Sequence, residues 1–443
     1  MKITNIIYIT ILSTFIFTGC SNRYVEQNTK VITHEKKAIN ITKKPIKKVP
    51  QFTLDNNSTE FLEILDNDKY ASLCSSKEKY LTIKNMENSQ KKIDLLRDLF
   101  FDYTKNLSNS CINQNAFKKE LKKKKYRDIS QYYKVYNLNI NKEKLLKKYT
   151  SNTQSVRNIL EIYTPKHPQF FQLIKQLDKS KLSQSKYNKL RLNIERLKLL
   201  KYSNRNSFIQ LNVPSHNFTF YEKNKMAKSF GTVVGSYEAQ TPILSSQLSY
   251  FIVNPTWNIP DSIVKSSIIP KALKDKDYLK KKNIVIRKNY KLDSKKIKWK
   301  DIDWEKYLKK NVRYIPYKFI QLPSRTNGMG RMKFIFPNDY AVYMHDTIGT
   351  WRFKSSREDI RFVSHGCIRL EHPIDLMKYL STNYTKHSYK KVRNIFDSQK
   401  TATISLSKKL PVHLTYQTVE IKNSSLLFYK DIYGYDKIQK LNF

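Results

Sequence analysis

The chain has 443 residues, long enough for two or three domains. Its 83 Lys and Arg against 37 Asp and Glu give a formal charge of +46, which raises nucleic-acid binding as a first thought. The lysines are spread over the whole chain, arginine is scarce beside lysine and no nucleic-acid motif is present, so no nucleic-acid partner is expected. What remains is weak attraction to an anionic surface.

Taken in chain order, Lys2 precedes an apolar run from Ile6 to Phe17 that ends Phe17-Thr18-Gly19-Cys20. This is the layout of a secretory signal over 1–20, and the run is too short for a membrane-spanning helix. Cysteine directly after Thr-Gly resembles a lipoprotein processing box, so Cys20 is the expected lipidation site, with a plain signal peptide as the alternative. Ser21 resembles the residue that sends lipoproteins to the outer membrane. Residues 21–50 are polar and basic (Lys43-Lys44-Pro45, Lys47-Lys48-Val49-Pro50) and lack an apolar face. They read as a flexible tether, with a reach of about 100 Å at roughly 3.3 Å per residue.

Residues 51–202 read as a helical domain. They are rich in Lys, Asn and Leu and almost free of glycine. Ser89 can cap a helix whose apolar residues Ile93, Leu96, Phe100, Tyr103 and Leu107 recur at three and four. Ser185 opens a second, with Tyr187, Leu190, Ile194 and Leu197 on one face. Both stripes are core contacts.

From 203 to 443 the pattern changes. Six of the eight glycines lie between Gly231 and Gly366, so turns concentrate there. Tyr250 to Val253 reads as a strand. Residues 260–325 interrupt the strand pattern with lysine-rich helical stretches such as Trp304 to Lys310. Met332 to Phe336 and Ala341 to Met344 read as strands around a Pro337-Asn338-Asp339 turn. The second leads into Tyr343-Met344-His345-Asp346-Thr347, and about eighteen residues separate His345 from the following Ser364-His365-Gly366-Cys367-Ile368-Arg369. A cysteine in a tight glycine turn, with a histidine at a strand end upstream, supplies a thiol nucleophile and a base. The turn can also aim the Cys367 N–H at a developing oxyanion. An inert buried cysteine and a zinc site are the competing readings. Zinc is disfavoured because no Cys-x-x-Cys or His-x-x-x-His partner exists, so no metal is expected.

His-Asp-Thr followed by Ser-His-Gly-Cys resembles the YkuD-type L,D-transpeptidases, cysteine enzymes that cross-link bacterial peptidoglycan. The likeness runs from about Phe208 to Gly434 and is nearest the large Gram-negative branch. Its further blocks are Gly231-Thr232-Val233-Val234-Gly235 with Thr241-Pro242, Tyr250 to Pro260, Gly330-Arg331-Met332-Lys333-Phe334 and Asp431 to Tyr435. The resemblance implies an α+β fold: a helical scaffold, then a mainly β catalytic domain over 203–443 with a capping subdomain at 260–325. It implies Cys367 as nucleophile, His345 as general base and the backbone carbonyl of Asp346 as the group that orients His345. His365 fits a scaffold of the turn better than a base. Ser364, Gly366 and Arg369 flank the nucleophile, Arg369 placed to pair with a substrate carboxylate. Tyr343 shares the sheet face of His345 and is expected to line the donor pocket. Asn254 and Trp257 lie at the root of the cap; stacking on a peptide stem and buried packing are equal readings for Trp257.

Two departures stand out. The loop Gly349 to Ile360 is a few residues longer than is usual in the family. Only about ten residues, Asp178 to Tyr187, stand where the large branch carries a peptidoglycan-binding module, so that module reads as absent. With Cys20 lipidated and Cys367 free, Cys74 and Cys111 remain; in an oxidising periplasm they are expected to pair, two unpaired thiols being the alternative. The resemblance implies a periplasmic enzyme without a cofactor, acting on peptidoglycan stem peptides, held at the outer membrane by a lipid anchor and acylated by carbapenems. An L,D-carboxypeptidase and an idle wall-anchoring lipoprotein are the rival functions.

Overall fold

The structure is a computed structural model that describes residues 52–123, 131–179, 181–200, 207–312 and 314–442. The signal, lipidation and tether expectations for 1–50 lie outside the described residues.

Among the described residues, eight α-helices come first: α1 (Asn56–Asp66), α2 (Lys77–Lys84), α3 (Gln90–Asn109), α4 (Gln114–Lys122), α5 (Lys142–Thr150), α6 (Val156–Glu161), α7 (Phe170–Lys179) and α8 (Gln184–Lys198). Short polar side chains start several of them, each satisfying an otherwise orphaned backbone N–H. Ser89 accepts from Lys92 N at α3, and Asp55, Asn113, Asn141 and Ser155 do the same at α1, α4, α5 and α6. The stripe on α3 enters the core through Leu96, Phe100, Tyr103 and Leu107. Helix α8 starts from Ser183, not Ser185, and Tyr187 stays exposed while Leu190, Ile194 and Leu197 are buried. Cys74 and Cys111 are joined as a disulfide, so residues flanking the α2–α3 hairpin are tied together.

Burial around α8 is so complete that its charges need partners inside the protein. Glu195 is bound by Arg191 and by Lys198 at 2.9 Å, and it accepts the Cys111 N–H at 2.7 Å. Arg196 reaches Asp436 at 2.7 Å and Gln439 at 2.7 Å, tying α8 to the C-terminal segment.

The catalytic half is a mixed nine-stranded sheet built from β1 (Phe208–Asn212), β2 (Asn217–Glu222), β3 (Lys225–Gly235), β4 (Leu244–Val253), β8 (Met332–Ile335), β9 (Met344–His345), β10 (Phe362–Ser364), β11 (Ile368–Leu370) and β12 (Ala402–Thr415). Its order is β10-β3-β11-β9-β8-β4-β12-β1-β2, and β2 also pairs with β3, so the sheet closes on itself. Phe218, Phe251, Phe334, Met344, Ile368 and Val412 fill its interior, and the helices Pro373–Tyr384 and Tyr389–Asp397 pack on it through Leu376, Leu380, Val392 and Phe396.

Strands β4 and β8 are antiparallel neighbours, with Val253 opposite Met332. The chain between them leaves the sheet and returns to the same place. This excursion holds a separate small sheet of β5 (Trp257–Ile259), β6 (Ile284–Arg287) and β7 (Lys318–Gln321), with a core of Ile259, Ile269, Trp304, Tyr307 and Phe319. The helix expected at Trp304 to Lys310 is only a 3₁₀ turn, Glu305–Leu308, because Trp304 and Tyr307 both turn into that aromatic core. The hairpin β13 (Val419–Lys422) and β14 (Ser425–Phe428) packs its apolar residues against the helical core. Chain order and packing therefore part company at the end of the molecule.

Candidate active site

The site grows from three adjacent strands. Register places Lys333 of β8 opposite His345 of β9, and His345 opposite Arg369 of β11. These three side chains share one face, and by alternation Tyr343 and Cys367 join them. Tyr343 and His345 meet edge to face at 5.8 Å between ring centres.

Cys367 sits in the turn between β10 and β11, half-buried and free. Gly366 there has φ +102, a left-handed conformation that favours glycine. Its carbonyl accepts from the Thr241 hydroxyl at 2.9 Å, and that hydroxyl accepts from Gly235 N at 2.9 Å. Tyr433 completes the cradle by accepting from Thr241 N at 3.0 Å and donating to the Gly235 carbonyl at 2.8 Å. The Gly231 to Gly235, Thr241 and Asp431 to Tyr435 blocks thus meet in one support beneath Cys367. Neither the Cys367 N–H nor the His365 N–H donates to another described residue, which leaves both for a substrate oxygen.

His345 is buried, and its Nδ1 lies 2.6 Å from the Asp346 carbonyl. With Nδ1–H donating to that carbonyl, Nε2 is left as the acceptor. Burial, followed by the nearby Arg369, pushes the imidazole down to about 3, so it is neutral near pH 7. Burial raises the Cys367 thiol, while hydrogen bonds from the Tyr343 backbone and phenol and the charges of Lys333 and Arg369 oppose it. The thiol lies 4.0 Å from the Ala341 carbonyl, and no direct hydrogen bond joins it to His345. Imidazole and thiol share a face without a hydrogen bond between them, a geometry that a substrate could tighten.

Asp346 does two jobs. Its backbone orients His345, and its half-buried carboxylate accepts from Arg331 N at 2.8 Å and Thr347 N at 2.7 Å. Gly330, with φ +62, makes room: a Cβ there would come within 2.4 Å of the Asp346 side chain.

Several expected substrate contacts are instead built into the scaffold. The Ser364 hydroxyl donates to the Cys367 carbonyl at 2.5 Å and accepts from Gly366 N at 3.2 Å, so it shapes the turn. Gly366 is buried and acts through its backbone angle. Asn254 is 3% exposed, and its amide donates to the carbonyls of Ile395, Phe396 and Lys400 at 3.0–3.1 Å, closing the end of the helix Tyr389–Asp397. Trp257 packs on the cap core and over Gly328, where a Cβ would come within 2.7 Å of the indole. His365 is exposed and makes no hydrogen bond among the described residues. Arg369 is half-buried on the reacting face, with no carboxylate within ion-pair distance among the described residues.

Lys333 was assigned no role from its motif. Its ammonium lies 3.8 Å from the centre of the Tyr343 ring, and it too lacks a carboxylate partner among the described residues. A possible metal-ligand cluster occurs elsewhere, at Cys74, Cys111 and Glu195, but the two sulfurs are bonded to each other and Glu195 is held by Arg191 and Lys198.

Residues 206–393 match the family described as the YkuD L,D-transpeptidase catalytic domain. This region, a little under half of the chain, is similar to the YkuD catalytic domain. A protein of Haemophilus influenzae described as "Putative L,D-transpeptidase" is 29% identical over 251 residues, covering 56% of this chain and 48% of its own length. The chain therefore spans about half the length of that relative. Among solved structures, an L,D-transpeptidase from Mycobacterium smegmatis is similar at 12% identity and a TM-score of 0.21, over 47% of this chain and 58% of that one. The Ldtfm–avibactam carbamoyl enzyme is similar at 12% identity and a TM-score of 0.19, over 47% and 49%. The YkuD match ends at Arg393, before β12, which the sheet needs to close. Cys367, His345, Asp346 and Lys333 all fall inside it.

Proposed function

We propose that the protein is a periplasmic L,D-transpeptidase that forms 3-3 peptidoglycan cross-links through an acyl-enzyme on Cys367. The observation that carries this reading is a free thiol and a neutral, carbonyl-oriented histidine on one sheet face within a YkuD domain.

The His345 Nε2 lone pair accepts the Cys367 proton as sulfur attacks the carbonyl of meso-diaminopimelate, residue three of a donor tetrapeptide, in its peptide bond to D-alanine. The Cys367 and His365 N–H groups are the candidates to stabilise the resulting oxyanion. Collapse expels D-alanine, whose amine takes the proton from His345, and leaves a thioester. The side-chain amine of a second stem attacks this thioester and gives its proton to His345. The new amide forms, and the proton returns to the thiolate.

Arg369 is suited to a donor carboxylate, since a cation without an acid partner favours an anionic ligand. A carbapenem, which offers a strained acyl group, should acylate the same sulfur. We further propose that Cys20 is lipidated and holds the domain near the wall from the outer membrane, where confinement raises effective concentration.

Incubation with purified disaccharide-tetrapeptide followed by mass spectrometry tests the reaction. A cross-linked dimer with released D-alanine is expected. A disaccharide-tripeptide alone would assign an L,D-carboxypeptidase, and unchanged substrate would refute both.

A further inference from the structure

Half-buried cations are expensive unless something of opposite charge faces them. Lys333 is such a cation. It stands on β8, in register with His345, over the Tyr343 ring, and no carboxylate of the described residues reaches it. The groups facing this face can be named. Strand β9 and its lead bring Tyr343 and the neutral His345, β11 brings Arg369, and the turn before β11 brings Cys367. Arg352, from the short helix Trp351–Lys354, adds its positive charge near Arg369 and donates to the Ile360 carbonyl at 3.0 Å. Asp346, next to His345, spends both carboxylate oxygens on the Arg331 and Thr347 amides, Asp339 pairs with Lys134 and Glu371 accepts from Gly231 N. Cys367 is thus the one group here that can supply negative charge, by losing its proton.

We infer that Lys333 is a positioning residue whose ammonium, held over Tyr343, is the counter-charge that lets Cys367 exist as a thiolate beside a neutral histidine. Burial lowers the Lys333 ammonium and the Cys367 charge raises it; reciprocally, Lys333 pulls the thiol down against burial. The S–H bond breaks, its proton passes to water, and the electron pair stays on sulfur facing Lys333, so His345 remains neutral. Tyr343 fixes the geometry, its ring beneath the ammonium and its backbone and phenol hydrogen-bonding the sulfur.

The inference rests on Cys367 being the nucleophile, yet its test needs no peptidoglycan. The rate of Cys367 alkylation by iodoacetamide is followed from pH 5.5 to 10 in the full protein and in Lys333→Met, Lys333→Gln and Lys333→Arg. Lys333→Met keeps the aliphatic stem over Tyr343 and removes only the charge. Its alkylation midpoint should move up by at least about one pH unit, making alkylation at pH 7 about tenfold slower. Lys333→Arg should stay near wild type. If Lys333→Met does not fold, Lys333→Gln is read in its place. A neutral variant that alkylates on the wild-type pH profile overturns the inference and leaves the transpeptidase reading standing. Full product formation by Cys367→Ala would overturn the transpeptidase reading on Cys367 and the inference with it.

Discussion

The helical region and the catalytic face bury charge in opposite ways. Around α8, Glu195 is answered by Arg191 and Lys198, and Arg196 by Asp436. On the sheet face, Lys333 and Arg369 stand beside a thiol and a neutral histidine with no carboxylate in reach among the described residues. Balanced charge locks a scaffold, since removing either partner strands the other in a dry interior. Unbalanced charge stores an attraction for an anion that arrives or forms during reaction. Where the cations lack partners is therefore where the chemistry belongs.

The largest effects should come from the unbalanced face. Cys367→Ala should reduce transpeptidation of disaccharide-tetrapeptide to background while leaving the thermal transition unchanged, because the half-buried thiol holds nothing else in place. Cys367→Ser should do nearly the same, as an alkoxide is not reached at neutral pH. His345→Gln should slow acylation by roughly 10²–10⁴-fold, read as the rate of D-alanine release.

The balanced region should answer in stability instead. Glu195→Gln leaves Arg191 and Lys198 facing each other and should cost about 3–5 kcal/mol in denaturant unfolding, with activity per folded molecule retained. Gly330→Ala joins the two regimes: its methyl meets Asp346 and its φ of +62 is unfavourable. A loss of about 1–3 kcal/mol is expected, together with slower acylation as Asp346 shifts the His345 carbonyl anchor. At the small end, Arg357→Ala removes only an exposed pair with Asp359 and should leave melting temperature and activity unchanged.

Acid should break the scaffold through its buried histidines. His345, His216 and His413 are pushed down to about 3 and His167 to about 4, chiefly by burial. Below the ordinary histidine value near 6.5 the unfolded chain binds protons that the folded one refuses, so stability falls as pH drops from 6.5 toward 4. Glu420, raised to about 7 by burial, acts in the opposite sense, because folding holds its proton when the unfolded carboxyl has lost it. Four histidines act against one Glu420, so stability should fall as pH drops below about 6.5, measurable by urea unfolding at stepped pH.

Much of the site could be read from residues close in sequence. Ser364 to Arg369 carries its own turn chemistry, and the Ser89 cap with its apolar stripe specifies α3 locally. What could not be read depends on partners far along the chain. Asn254 looks like a pocket residue until the helix ending at Asp397, some 140 residues later, claims its amide. Lys333 looks like one more lysine in a lysine-rich chain until strand register sets it opposite His345. The strand expected from Ala341 shrinks to Met344–His345, and Ala341 itself adopts φ +53, outside any strand conformation. Its carbonyl instead faces the Cys367 sulfur.

The most direct test of the central claim is intact-protein mass spectrometry during turnover of a tetrapeptide donor without acceptor, followed by peptide mapping. The account predicts a tripeptide acyl adduct on Cys367, formed with one equivalent of D-alanine and absent from Cys367→Ala. An adduct on another residue, or D-alanine release from Cys367→Ala at the wild-type rate, would contradict it.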